Sequence, residues 1–253
     1  MEIPSICNCE RIWWEQLGRF EIESRLILDR ELLFITTETN KDYIHSCSVD
    51  DICRILLAIP MQDWEGLYGF IFRQSTRKQR LSSPSWGRLA YDAQFGRPAK
   101  PNVYSGPALI LEAINPTEPL RWNRSLSPAD SDELHRLSKD GHIVKDKGKY
   151  FEILGNADSI RSTQLYRTVL HEIGHWQDWL QKVQKPAEEN PDKLNALQDA
   201  YFARPREERE AFAHRYADAT RQRLLIEGIF PFIKIQQAAP SPGNFITGNG
   251  DVV

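Results

Sequence analysis

Between about Ser159 and Gln184 the apolar residues recur at helical spacing. Leu165, Val169, Ile173, Trp176, Leu180 and Val183 fall within about a quarter of the circumference when each residue advances the chain by ~100°. A helix so long and so one-sided must bury its stripe against another layer, which requires a chain able to build a substantial core. With 253 residues, 41% of them hydrophobic, this chain can form one large domain or two small ones. The same helix carries His171-Glu172-Ile173-Gly174-His175. His171 and His175 leave one face, on the flank of the apolar stripe, with Glu172 between them and the core. Two neutral imidazole nitrogens so placed can grip one metal ion, and the intervening carboxylate can take a proton from a water that the ion activates.

Two histidines leave a catalytic zinc one protein ligand short. The best source for the third is a second helix, from about Pro205 to Ile226. Pro205 suits the first turn, and Glu207 and Glu208 suit the positive end of the helix dipole. Glu210 shares its side with Ala213 and Ala217, small residues that let a helix approach closely. It follows His175 by 35 residues, enough chain for a turn-rich connection and an antiparallel return.

Two segments, HEIGHWQD at 171 to 178 and Glu-Ala-Phe-Ala-His-Arg-Tyr at 210 to 216, are similar to the paired motifs of the gluzincin branch of the zincin metallopeptidases. Within that branch the chain resembles the short catalytic domains similar to that of anthrax lethal factor, over roughly residues 165 to 220. The resemblance implies that His171, His175 and Glu210 hold zinc and that Glu172 is the general base. It also implies a small mixed sheet whose edge strand binds extended peptide. The family's transition-state tyrosine has no aligned counterpart; Tyr201 is the nearest candidate and His214, one turn past Glu210, is another. Asp178 either accepts the other N–H of a ligand histidine, fixing its tautomer, or is a surface aspartate.

The rest of the chain is read from local signals. Arg25 to Thr37 and Gly66 to Gln74 are strand-like, and a capping box at Ser48 starts a helix over Ile52 to Ile59 that Pro60 stops. A proline-rich connection from Gly96 to Pro107 leads to a buried strand over Ala108 to Ile114. Asp130 to Ser138 reads as a helix, and His142 to Leu154 as a hairpin turning at Asp146-Lys147-Gly148. Pro186 and Pro191 end the long helix. The Pro, Ser and Gly cluster at 81 to 87 marks a boundary between an N-terminal α/β region, 1–85, and a zincin-like region, 86–235, followed by a flexible tail, 236–253.

Charge and cysteine usage narrow the function classes. A net charge of −3 supplies no electrostatic reason to expect nucleic acid or an anionic membrane as partner. Arg73, Arg77, Lys78 and Arg80 read as a solvated strand exit. The N-terminus lacks a secretion leader and no apolar run approaches a membrane span, so the expectation is a soluble cytoplasmic protein. Cys7, Cys9, Cys47 and Cys53 read as reduced thiols, their spacings matching no common second zinc site. His45, His135 and His142 read as surface or locally bonded residues, and Trp13, Trp14, Trp64 and Trp86 as core. The expectation is thus an α+β, zincin-like, zinc-dependent endopeptidase acting on a protein or peptide substrate. Its rivals are a gated toxin or defence protease and a non-catalytic zincin-like module with a structural metal, which a fourth protein ligand such as His214 would favour.

Overall fold

The computed structural model describes residues 12–82, 85–97 and 100–232. Helices and strands both build the chain, in an α+β arrangement. Its larger sheet contains β1 (Ile12–Gln16), β2 (Phe20–Ile27), β3 (Arg30–Thr37), β4 (Gly69–Arg73), β5 (Gly87–Arg97) and β6 (Lys100–Glu112), in the order β1-β5-β6-β4-β3-β2. The sheet is mixed: β1 runs parallel to β5, and β3, β4 and β6 run parallel to one another, while β2–β3 and β5–β6 are antiparallel pairs.

Two expectations about this sheet need correction. The run Arg25 to Thr37 is not one strand, because Leu28 and Asp29 take left-handed φ values of 47° and 63° and close a two-residue hairpin turn between β2 and β3. Neither residue is glycine, so the turn left no ordinary signal. The proline-rich stretch from Gly96 to Pro107 is largely strand: β5 and β6 pair back along it, with register shifts where the pairing is interrupted. β5 and β6 therefore sit between β1 and β4, and one sheet spans residue 85, where composition suggested a boundary.

Alternation along the strands divides the interior. Phe34, Phe70, Phe72, Leu109 and Leu111 face the helices, whereas Ile35, Ile71, Ala108 and Ile110 face the other way and pack with Phe20, Phe95 and Tyr104 in a second core within the curled sheet. Burying each such Ile, Leu or Phe contributes about 1.5–3 kcal/mol, so both faces hold the sheet together. Arg73 departs from its expected solvation. It is 1% exposed and its guanidinium is bound by Glu15 and Glu112.

Helices cover one face. α1 (Val49–Ala58) begins at the expected Ser48–Asp51 capping box, followed by the short α2 (Met61–Trp64) and, after β4, α3 (Arg77–Ser82). Between β6 and the long helix the chain makes an excursion: β7 (Leu120–Asn123), α4 (Pro128–Lys139), β8 (Ile143–Asp146) and β9 (Tyr150–Leu154), with a small sheet ordered β7-β9-β8. The expected hairpin at 146–148 joins β8 to β9.

The long helical segment then runs from α5 (Ala157–Thr163) through a π-helical turn, Gln164–Thr168, into α6 (Val169–Trp179). All six residues of the expected apolar stripe are buried. A second π-turn, Leu180–Gln184, leads into α7 (Lys185–Glu189), so Pro186 does not end the segment. Pro186 lies in the first turn of α7, just after the wider π-turn, where a missing N–H is tolerated. The connection expected to be merely polar contains α8 (Leu194–Ala203), and α9 (Arg206–Ile226) follows with Pro205 at its N-cap.

Candidate metal centre

Gly174 decides how closely the two long helices meet. A Cβ built there would lie 3.0 Å from Ala213 Cα and 3.1 Å from Ala213 O, both backbone atoms of α9. Ala213 and Ala217 are buried in the crossing, as their small size suggested. Glu210, one turn before Ala213, is thereby carried to the histidines. Its Oε2 lies 3.2 Å from His171 Nε2 and 3.6 Å from His175 Nε2, and the two nitrogens are 3.1 Å apart. Tetrahedral zinc with bonds of about 2.0–2.1 Å separates neighbouring donors by about 3.3 Å. The three donor atoms fit that spacing. Two imidazole nitrogens and a carboxylate oxygen turned toward one point are a set that a proton or a cation must hold together.

The electrostatics follow from this convergence. Burial pushes the His175 pKa down, but the hydrogen bond and charge of Glu210 prevail and raise it. Burial would raise Glu210, yet its bonds to His171 and His175 hold it far below the usual carboxylate range. Arg206, one turn earlier on α9, approaches the other oxygen, Glu210 Oε1, at 3.4 Å. Glu208 instead pairs with Arg204, and both Glu207 and Glu208 are exposed.

Glu172 is buried beside β5. Its Oε2 accepts the Leu89 backbone N–H at 2.8 Å. Gly87 at the start of β5 is pressed against this region: an added Cβ would meet Ile110 O at 2.8 Å and Thr168 Cγ2 at 3.0 Å. β1 pairs with β5 only from Asp92 to Gly96, so the outer edge of Gly87–Tyr91 has no strand partner among the described residues.

A cleft of about 620 Å³ opens over the cluster, lined on one side by His171, Glu172, Glu210 and His214. The opposite wall comes from the excursion and the start of β5: Trp86, Trp122, Leu126, Asp130 and Glu133. Trp86, expected in the core, is thus a cleft residue. One buried carboxylate fastens the wall to α9 and to the helical segment that runs into α6. Asp140, just past α4, accepts Arg167 Nε at 2.7 Å, Thr163 Oγ1 at 3.0 Å and Arg221 Nη1 at 2.9 Å. Arg167 lies one turn before His171 and also donates to both oxygens of Glu133. Sequence reasoning passed over this network; Arg167, one helical turn from His171, was its readable sign.

The remaining candidates divide. His214 lies at the cluster, its ring centroid 4.4 Å from that of His171, and burial, with the charge of His171, lowers its pKa to about 4. Tyr201 is away from the cleft lining, buried against Trp179 and Phe202 with its hydroxyl 3.1 Å from that of Tyr91. Asp178 is not a surface residue, and the bonds of its buried carboxylate reach neither His171 nor His175: it is held by Lys182 and by Arg204 Nη1 at 2.7 Å. His171 Nδ1 is buried with no hydrogen-bond partner among the described residues. Among the described cysteines, burial pushes the Cys47 thiol up to about 12 and that of Cys53 to about 11, and neither joins a metal-compatible group. Cys7 and Cys9 lie outside the described residues, as does the tail from 236. His45 bonds Thr37 O and His142 bonds Thr163 Oγ1, each at 2.9 Å. No helix among the described residues is long and apolar enough to cross a membrane. No family model, curated protein or solved structure matches the chain.

Proposed function

We propose that the chain is a zinc-dependent endopeptidase with a zincin-like catalytic region. The observation that carries this reading is the convergence of His171 Nε2, His175 Nε2 and Glu210 Oε2, every pair within 3.6 Å, beside a cleft that Glu172 also lines. A bound zinc ion would supply Lewis acidity, bringing the pKa of water toward about 7 and polarising a peptide carbonyl. Glu172 takes the water's proton and returns it to the departing amine. Its Oε2 is anchored on Leu89 N–H, which leaves Oε1 for the transfer. An extended peptide would lie along the edge of Gly87–Tyr91 that has no strand partner among the described residues, bonded through main-chain groups other than the Leu89 N–H, which Glu172 holds. Trp86 and Trp122 would flank its side chains across the cleft.

The test separates metal binding from chemistry. Protein purified without chelator is expected to carry one zinc per chain and to cleave unfolded protein. Glu172→Gln should retain the zinc and lose about 10²–10⁴-fold in hydrolysis, because an amide keeps the shape but cannot accept the proton. His171→Ala should lose both. Substantial turnover by Glu172→Gln would sink the proposed base. A second reading, a binding module with a structural metal, draws support from His214 beside the donor set, and zinc without hydrolysis in the unmodified chain would favour it.

A further inference from the structure

Two helices each supply a pair of donors four residues apart, His171 and His175 on α6, Glu210 and His214 on α9. That spacing places both members of a pair on one face. Because α6 and α9 meet backbone to backbone at Gly174 and Ala213, the two pairs confront each other. Three of the four make the triangle already described. The fourth, His214, belongs to an overlapping set: one donor atom each from His171, Glu210 and His214 lies within 4.8 Å of the other two. The sets share His171 and Glu210 and differ in whether His175 or His214 completes them.

The cleft distinguishes the two. His171, Glu210 and His214 line it, and His175 is not among its lining residues. His214 therefore stands on the side from which water or a peptide reaches the centre. Its ring is inclined 46° to that of His171, and neither of its nitrogens has a hydrogen-bond partner among the described residues. An imidazole with no protein partner, next to three converging donors, is placed to serve as a further donor. Donors at the 4.8 Å limit stand looser than the ~3.3 Å spacing on one zinc, so a small inward movement of the ring is enough to bring His214 onto the ion. Such a ligand is readily gained and lost.

Resting on the zinc reading above, we propose that His214 is a fourth, displaceable protein ligand that closes the metal centre at rest and leaves it when a peptide group arrives. The competing role, a hydrogen-bond donor to the substrate carbonyl, needs no bond to metal in the resting protein.

Cobalt(II) substituted into the full chain supplies the test. Each ligand histidine with a free N–H should give one hyperfine-shifted, exchangeable proton resonance. The expected counts are three in the unmodified chain, two in His214→Ala, and two in the unmodified chain after saturation with N-methylacetohydroxamate, whose bound anion brings no N–H of its own. Zinc affinity by chelator competition should fall about tenfold or more in His214→Ala. A count of two in the resting unmodified chain overturns the proposal while leaving the three-ligand site standing. So does an unchanged zinc affinity in His214→Ala, and so does a count of three that persists under N-methylacetohydroxamate. Failure of the unmodified chain to bind either metal overturns the endopeptidase reading as well.

Discussion

Among single residues, the identity of the carboxylate ligand is the sharpest question, since Glu207, Glu208 and Glu210 share one turn of α9. Acidic residues at a helix start are accounted for by the dipole, at about 0.3–1 kcal/mol each. Glu207 and Glu208 are exposed there, whereas Glu210 reaches both histidines. Glu210→Ala should weaken zinc binding by more than about 100-fold, beyond what loss of an orienting neighbour costs. Glu207→Ala and Glu208→Ala should leave it within about twofold of the unmodified chain. Zinc titration of the three variants decides, and tight binding by Glu210→Ala would remove the assignment. The three proposed ligands were legible because residue type and spacing coincide with what zinc requires. Asp140 was not, for its partners Arg167 and Arg221 come from segments that only the fold brings together.

At the level of elements, the crossing of α6 and α9 controls the centre, and Gly174 controls the crossing. In Gly174→Ala the added methyl presses on backbone of α9, which cannot rotate aside. The expected result is a loss of about 1–3 kcal/mol in stability and about tenfold in zinc affinity, read by urea unfolding and chelator competition. Unchanged affinity would mean that Glu210 reaches the histidines without the close approach. These two helices were readable because long amphipathic periodicity and small residues at i and i+4 are strong signals. α8 was obscured by the prolines before it, although Leu194, Leu197 and Tyr201 stand at helical spacing. The β5–β6 hairpin was hidden by proline and glycine, which local reasoning assigns to loops and the sheet here accommodates with register shifts.

For the molecule as a whole, buried ion pairs hold the layers in place, and they set its response to acid. Burial alone would raise the Asp178 pKa, but hydrogen bonds from Lys182 and Arg204 hold it below the ordinary 3.8. A carboxylate depressed on folding stabilises the native state above its unfolded pKa, and that contribution is lost as pH falls through the folded value. Asp178→Asn should therefore cost about 1–3 kcal/mol near pH 7, and the gap to the unmodified chain should narrow below pH 3.8. Urea unfolding at pH 7 and at about pH 3 measures it; a gap that stays constant would show that Asp178 acts through packing alone. At the far edge of the sheet, the turn at Leu28 and Asp29 has a practical corollary. Leu28 is 50% exposed and held left-handed, a conformation that costs an ordinary side chain about 1–2 kcal/mol. The double substitution Leu28→Asn with Asp29→Gly gives the turn the residue pair such hairpins favour, and it should raise Tm by about 2–4 °C. Because β6, β4 and β3 separate that edge from β5, thermal tolerance can be engineered there without disturbing the cluster of His171, His175 and Glu210.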